Sequence, residues 1–169
     1  GVTYCLIYGG GNTKLGLTAG ASKGEAASKG KKIRNKIMAD LTGFADLTAA
    51  IQERAKGDVL SGLDKRPIRL QGKHYASLNY LLQSAGAILS KRWCVIGHSL
   101  LVDSGLTYNV DYTRCAYVHD EQQFSVVPSE AQRVADLIVS AAPMAGNYYN
   151  FKVPITAASD VGKNWSDTH

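Results

Sequence analysis

Between Tyr117 and Phe124 the sequence reads YVHDEQQF, setting a histidine, two adjacent carboxylates and two amides between runs of β-branched and aromatic residues. A carboxylate at the tip of a tight turn is exposed enough to ligate a hard cation such as Mg²⁺, which prefers oxygen donors. Asp120 is the first candidate and Glu121 the second, with His119 beside them. Two-metal phosphoryl chemistry needs carboxylates converging from separate elements, so one turn supplies at most part of a site. Asp111, in DYTR, lies nine residues upstream along the same strand, too far to converge on the tip, and reads as a strand-entry or turn residue.

Two further patterns could bind a ligand. Tyr75, Asn79 and Gln83 recur at four-residue steps, and Gly86 and Ala87 continue the same face. Amides donate and accept at once, so a face of amides and small residues suits a planar or ribose-bearing ligand. The same pattern equally suits two buried amides bonded within the protein. SKGKKIRNK places Lys29, Lys31, Lys32, Arg34 and Lys36 in a short span. That cluster suits a phosphate backbone, although a solvated helix face has the same composition.

The elements that must position these residues follow from periodicity. TYCLIY is a strand or the tail of a helix, broken by GGGN. Residues 24–40 and 43–56 carry apolar positions at three- and four-residue spacing, predicting two helices divided by Thr42-Gly43. LSGLDKRPIRLQG predicts a short hairpin around Asp64-Lys65, with Pro67 on an edge strand. From Ala76 to Asp103 one long helix is expected, otherwise buried along the amide stripe and closed by Ser104-Gly105. TRCAYV and QQFSVV predict a hairpin turning through His119-Asp120-Glu121. PSEAQRVADLIVSAA opens with Pro and Ser-x-x-Gln, predicting a capped helix. The expected class is α+β.

Composition limits the alternatives. A chain of 169 residues with 45% hydrophobic residues is about one domain with a core. Residues 1–73 hold 13 Lys and Arg against 6 Asp and Glu, and residues 74–169 hold 6 against 8, so the basic excess is in the first half. No apolar run approaches the roughly 18 residues a membrane span needs, and the N-terminus lacks a signal-peptide order; a cytoplasmic protein without membrane contact is expected. Cys5, Cys94 and Cys115 are odd in number and widely spaced, predicting reduced core thiols. GGGNTKLG lacks the order of a phosphate-binding P-loop and the spaced third glycine of a dinucleotide fingerprint. His98, alone in mid-helix, reads as a packed or exposed side chain.

Four blocks, YCLIYGGGNTKLG, GLDKRPIRL, ASLNYLLQSAGAILSKRW and YVHDEQQF, together with the ending VGKNWSDTH, resemble in order and spacing the C-terminal part of family A DNA polymerases, particularly those of short-tailed phages. The resemblance covers essentially the whole chain. It implies a helical fingers segment over about residues 1–56 and a palm hairpin packed on long helices over about 57–169, with no thumb or exonuclease domain. It implies that Asp120 holds two catalytic Mg²⁺ ions, that His119 lies beside the primer 3′ end, and that Glu121 is an accessory carboxylate. Tyr4 would meet the sugar of the incoming dNTP and Tyr8 would guard the templating base. Asn79, Gln83 and Tyr75 would contact primer–template DNA, as would Lys31, Lys32 and Arg34 of the basic cluster.

By the same likeness, an aspartate motif and a fingers lysine and arginine lie upstream of Gly1. An N-terminal polymerase half would supply them, and this chain alone would be inactive. The expected function is the C-terminal half of a template-directed DNA polymerase, acting in the host cytoplasm if phage-encoded. The alternative is a non-catalytic nucleic-acid-binding or assembly fragment.

Overall fold

The structure, a computed structural model, describes residues 1–168. The chain divides into two compact units, Gly1–Ala85 and the residues from Gly86 onward, and the division falls within the sequence of helix α5 (Ser77–Asp103).

The first unit begins with four helices, α1 (Val2–Ile7), α2 (Asn12–Thr18), α3 (Ala26–Asp40) and α4 (Thr42–Ala55). α3 and α4 lie where the apolar spacing predicts them, and Leu41 joins them. α2 was not expected. It is two turns long and carries glycine in its interior, so propensity alone would not form it. Packing does. A Cβ on Gly16 would lie 1.9 Å from the Ala26 carbonyl oxygen, and one on Gly30 would lie 1.8 Å from that of Asn12. The two backbones therefore touch, and only glycine fits at either position. Beneath them Leu15 is fully buried in a cluster with Cys5 and Leu6, joined by Ile33, Ile37 and Met38.

β1 (Val59–Ser61) and β2 (Pro67–Arg69) form the expected antiparallel hairpin. Lys65 takes a left-handed φ of 66° in its turn, and Asp64 pairs with Arg66 across it. Leu60 and Leu70 pack with Ile51, Ala55 and Leu78, closing the hairpin over α4 and the start of α5.

In the second unit β3 (Tyr112–Val118) pairs antiparallel with β4 (Glu121–Val126), and α6 (Ala131–Tyr148) follows. Leu101, Leu106, Tyr112, Val134 and Ile138 form its core, with Trp93, Phe124 and Val126 against them. The hairpin thus packs on α5 and α6, as the α+β expectation requires. Trp93 Nε1 donates to the Ile138 carbonyl at 2.7 Å, so its indole nitrogen is satisfied inside this packing. α5 ends at Ser104-Gly105 as expected, with Gly105 at a φ of +87°.

Four expectations need correction. Thr42-Gly43 does not divide α3 from α4, because both residues form the first turn of α4 directly after Leu41. α5 is not otherwise buried beside its amides, since Leu82, Val95 and Val102 are all exposed. α6 has no side-chain cap; a 3₁₀ turn over Pro128–Glu130 leads into it instead, with Pro128 supplying the preset φ. Cys115 is exposed, unlike Cys5 and Cys94, because it is the extra residue of a bulge in β3. Burial pushes the Cys94 thiol above its ordinary pKa, as suits an inert core cysteine. No helix among the described residues is long and apolar enough to cross a membrane.

Candidate functional site

The acidic pair is built by the β3–β4 hairpin. Val118 pairs directly with Glu121, so the turn consists of His119 and Asp120 alone and Glu121 belongs to β4 rather than to the turn. His119 adopts a left-handed φ of 54°, a conformation histidine accepts more readily than most residues. Its carbonyl accepts a hydrogen bond at 3.2 Å from Ser90 Oγ, a buried hydroxyl on α5. The turn is thereby pinned to the helix beneath it.

The two carboxylates are not equivalent. Asp120 is exposed and makes no hydrogen bond or ion pair with any described residue. Glu121 is half-buried, and its Oε1 accepts a hydrogen bond from Gln123 Nε2. Asp111 is a turn residue as expected: its Oδ2 accepts from the Thr107 N–H at 2.7 Å, holding the loop that enters β3.

A bulge determines which side chains share a face with the core. Arg114 pairs with Phe124, but Ala116 pairs with Gln123, leaving Cys115 as the unpaired residue. Side chains alternate with period two, so one extra residue reverses the facing of everything beyond it. Tyr117 thus pairs with Gln122, on the face that carries Tyr112 and Phe124. Arg114 Nη2 donates to the Cys94 carbonyl at 3.2 Å, and its guanidinium lies 5.6 Å from the centre of the Phe124 ring. Both amide atoms of Gln122 are buried without a hydrogen-bond partner among the described residues.

The tyrosines and the helix amides belong to the first unit. Gln83 Nε2 donates to the Tyr8 hydroxyl at 2.9 Å, joining two residues 75 positions apart in the chain. Tyr4 lies one turn back on α1, its ring 6.4 Å from that of Tyr8, and both rings are exposed. Tyr75, also exposed, precedes α5 in a 3₁₀ turn, and its carbonyl is where a Cβ on Gly9 would strike, at 2.5 Å. Asn79 is half-buried, and its Oδ1 has no hydrogen-bond partner among the described residues. The structure therefore brings Tyr4, Tyr8, Gln83 and Tyr75 together around the first turn after α1.

The basic cluster splits by role. Lys31 and Lys32 are exposed on α3, with no ion pair among the described residues, while Lys36 pairs with Asp40 at 3.1 Å. Arg34 turns inward. Its Nε donates to Asn12 Oδ1 at 2.8 Å and its Nη2 to the Gly10 carbonyl.

Ser90, Asn12 and the Cys115 bulge were not foreseen as parts of this arrangement. A serine within a helical run and an asparagine after glycines carry no periodic signal, and a bulge is invisible until the partner strand is known. No group of three or more His, Cys, Asp or Glu able to hold a metal occurs among the described residues. Asp120 nevertheless fits one ligand of a Mg²⁺ ion, which is commonly held by one or two carboxylates together with substrate phosphates and water.

Residues 1–167 match the family description DNA polymerase family A. The DNA-directed DNA polymerase of Enterobacteria phage T3 is 30% identical over 184 residues, covering 98% of this chain and 25% of the relative. That of Escherichia phage T7 is 31% identical with the same coverage, and that of Escherichia phage Phieco32 is 31% identical over 175 residues, covering 98% of this chain and 27% of the relative. The chain thus spans about a quarter of the length of these relatives. Among solved structures, the POL domain of Pol1 from M. smegmatis, in complex with DNA primer-template and dNTP, superposes with a TM-score of 0.69 over 85% of this chain and 26% of that one. At 21% identity that likeness speaks for a shared fold. With the profile match extending over nearly every residue, this chain belongs to DNA polymerase family A.

Proposed function

We propose that this chain is the C-terminal portion of a template-directed DNA polymerase, contributing a palm carboxylate and primer–template contacts to nucleotidyl transfer. The observation that carries the reading is Asp120: an exposed carboxylate without a partner among the described residues, on a pinned two-residue turn, within a chain-long family match. Residues 1–56 or so would be the remainder of the fingers, and those from about 57 the palm.

Asp120 would be the chain's ligand for Mg²⁺, with Glu121 as an accessory whose carboxylate is already held by Gln123. When bound, Mg²⁺ supplies acidity to the attacking 3′-hydroxyl and stabilises the charge that develops on the phosphoryl oxygens and leaving pyrophosphate. The chain's own residues do the positioning. The Ser90 bond to His119 fixes the turn, so the Asp120 oxygens point to solvent without reorganising at the moment of reaction. His119 is exposed on the same turn, within reach of a primer terminus brought to Asp120.

In the first unit, Tyr4 and Tyr8 offer exposed rings for the incoming sugar and the templating base. The Gln83 bond to the Tyr8 hydroxyl holds the second ring in place. Asn79 and Gln83, with Tyr75 beside them, would contact the primer–template, and Lys31 and Lys32 would meet its phosphates. These contacts orient substrate and carry no sequence information, as template-directed copying requires.

The remaining polymerase segment would supply the second metal-binding carboxylate and the lysine and arginine for the triphosphate. The reading predicts primer extension when this chain is combined with a separately made segment carrying those motifs, and none by either alone. An Asp120→Ala chain serves as the purity control. Extension by this chain alone that the control lacks would overturn the division of the site. Primer–template binding by the combined pair without any extension would instead assign the chain to a nucleic-acid-binding role.

A further inference from the structure

The inward turn of Arg34 sets it apart from the lysines of its cluster. We infer that Arg34 is a positioning residue for the insertion site, clamping the turn that carries Tyr8, and is not a ligand for DNA phosphate. The inference rests on the proposed role of Tyr8 at the templating base.

The turn needs a clamp. α1 ends at Ile7, and the chain reverses through Tyr8, Gly9 and Gly10 before α2 begins at Asn12. The Gly10 N–H donates to the Cys5 carbonyl at 2.8 Å, and a Cβ on Gly10 would lie 2.5 Å from Cys5 Sγ. Gly9 takes a left-handed φ of 73° against the Tyr75 carbonyl. The path is therefore tight on both sides, and three consecutive glycines, Gly9 to Gly11, give it little stiffness of its own. Behind it lies a cavity of about 260 Å³, lined by Leu6, Gly9, Arg34, Met38, Phe44 and Tyr75 among others. Atoms packed on only one side cannot hold a turn against inward movement.

Arg34 spans that gap. Its guanidinium is a planar fork, and the two N–H groups used here reach acceptors on either side of Gly11, the Gly10 carbonyl and Asn12 Oδ1. One side chain on α3 thus ties the exit of α1 to the start of α2. Two residues before Gly10, the Tyr8 hydroxyl accepts from Gln83 at 2.9 Å, so a turn free to shift would carry Tyr8 away from its partner. Lysine could not reproduce the clamp, since a single ammonium lacks the fork. A guanidinium engaged by two protein acceptors is also poorly placed to neutralise a phosphate, a task left to Lys31 and Lys32.

The test compares Arg34→Met, Arg34→Lys and Asn12→Ala with Tyr8→Ala and with the Arg34→Met/Tyr8→Ala pair. On the chain alone, hydrogen exchange at the Gly10 amide should quicken about tenfold or more in Arg34→Met, which deletes both charge-assisted hydrogen bonds of the clamp. The salt dependence of primer–template binding should stay at the wild-type slope. In the polymerase assembled with the remaining segment, Arg34→Met should raise mismatched relative to matched insertion about tenfold on the same grounds. Arg34→Lys should not restore it, and the pair should do no worse than Tyr8→Ala alone.

Unchanged exchange at Gly10, or a slope flattened by about one unit as for a lost phosphate contact, would overturn the clamp. A mismatch ratio raised by Tyr8→Ala but not by Arg34→Met would overturn the inference and leave the proposed function standing. No change with Tyr8→Ala would remove Tyr8 from the insertion site and end the inference together with the role proposed for Tyr8, while the part of the proposed function carried by Asp120 would stand. Should Arg34→Met fail to fold, Asn12→Ala carries a weaker form of the test, since it deletes the acceptor of Arg34 Nε and leaves the bond to the Gly10 carbonyl; a smaller quickening of Gly10 exchange is expected, and an unchanged rate would overturn the clamp.

Discussion

Replacing Asp120 by alanine should separate catalysis from every other property of the chain. Asp120 is exposed, bonds to no described residue and lies outside the left-handed backbone region, so alanine leaves no orphaned partner and adds no strain. A surface substitution of this kind changes stability by no more than about 0.5 kcal/mol, a factor of about two in the folding equilibrium. In the proposed function phosphate and base contacts fall to other residues, so primer–template affinity should move as little. The catalytic cost is of another size. Losing one preorganised group that stabilises developing charge typically costs a factor of about 10² to 10³, and a full carboxylate charge at a metal belongs at or above the upper end, about 4 kcal/mol on the barrier. The assay is single-turnover primer extension by the assembled polymerase, beside denaturant unfolding of the chain and primer–template binding. Extension within tenfold of wild type would refute the ligand assignment. So would a loss of extension matched by a loss of binding or folding, because removing a metal ligand alone leaves binding and folding intact.

Neutralising Lys31 and Lys32 to methionine should flatten the log–log salt dependence of duplex binding by about one unit per lysine; an unchanged slope would return them to a solvated helix face. Gly30→Ala should lower the denaturant midpoint, costing about 2 kcal/mol or more, because its Cβ would lie 1.8 Å from the Asn12 carbonyl oxygen, and helix propensity alone would predict the opposite sign. A midpoint at or above wild type would show that α2 and α3 are not in backbone contact. Asp58 accepts a hydrogen bond from the Gly72 N–H at 2.8 Å and another from His74 at 3.1 Å, and these hold its carboxyl below the ordinary 3.8. A depressed carboxylate stabilises the fold above its unfolded pKa and loses that contribution as pH falls through the folded value. Stability should therefore decline below about pH 3.8 with a steeper acid limb than in Asp58→Asn, which tolerates the same left-handed φ of 59°. Identical acid limbs would dismiss the contribution.

Much of this arrangement was legible from residue order alone. α3, α4, α5 and α6, the two hairpins and the turn at His119-Asp120 are local events, written in three-to-four and alternating periodicities and in Pro, Gly and Asp at their ends. The candidate residues could be named for the same reason: an acidic pair at a reversal and an amide stripe are visible in one dimension. What the sequence did not disclose depends on contacts between distant segments. α2 exists because Gly16 and Gly30 let two backbones touch. Tyr8 and Gln83 are bonded across 75 positions, and Arg34 left its lysine neighbours for acceptors 22 and 24 positions away. The bulge at Cys115 became visible only with the β4 register, and it reversed the facing of Tyr117 and exposed a cysteine that composition would bury. Hydrogen-bond direction, backbone approach and strand register are properties of pairs of segments, and a single chain read in order records the members of those pairs without recording the pairing itself.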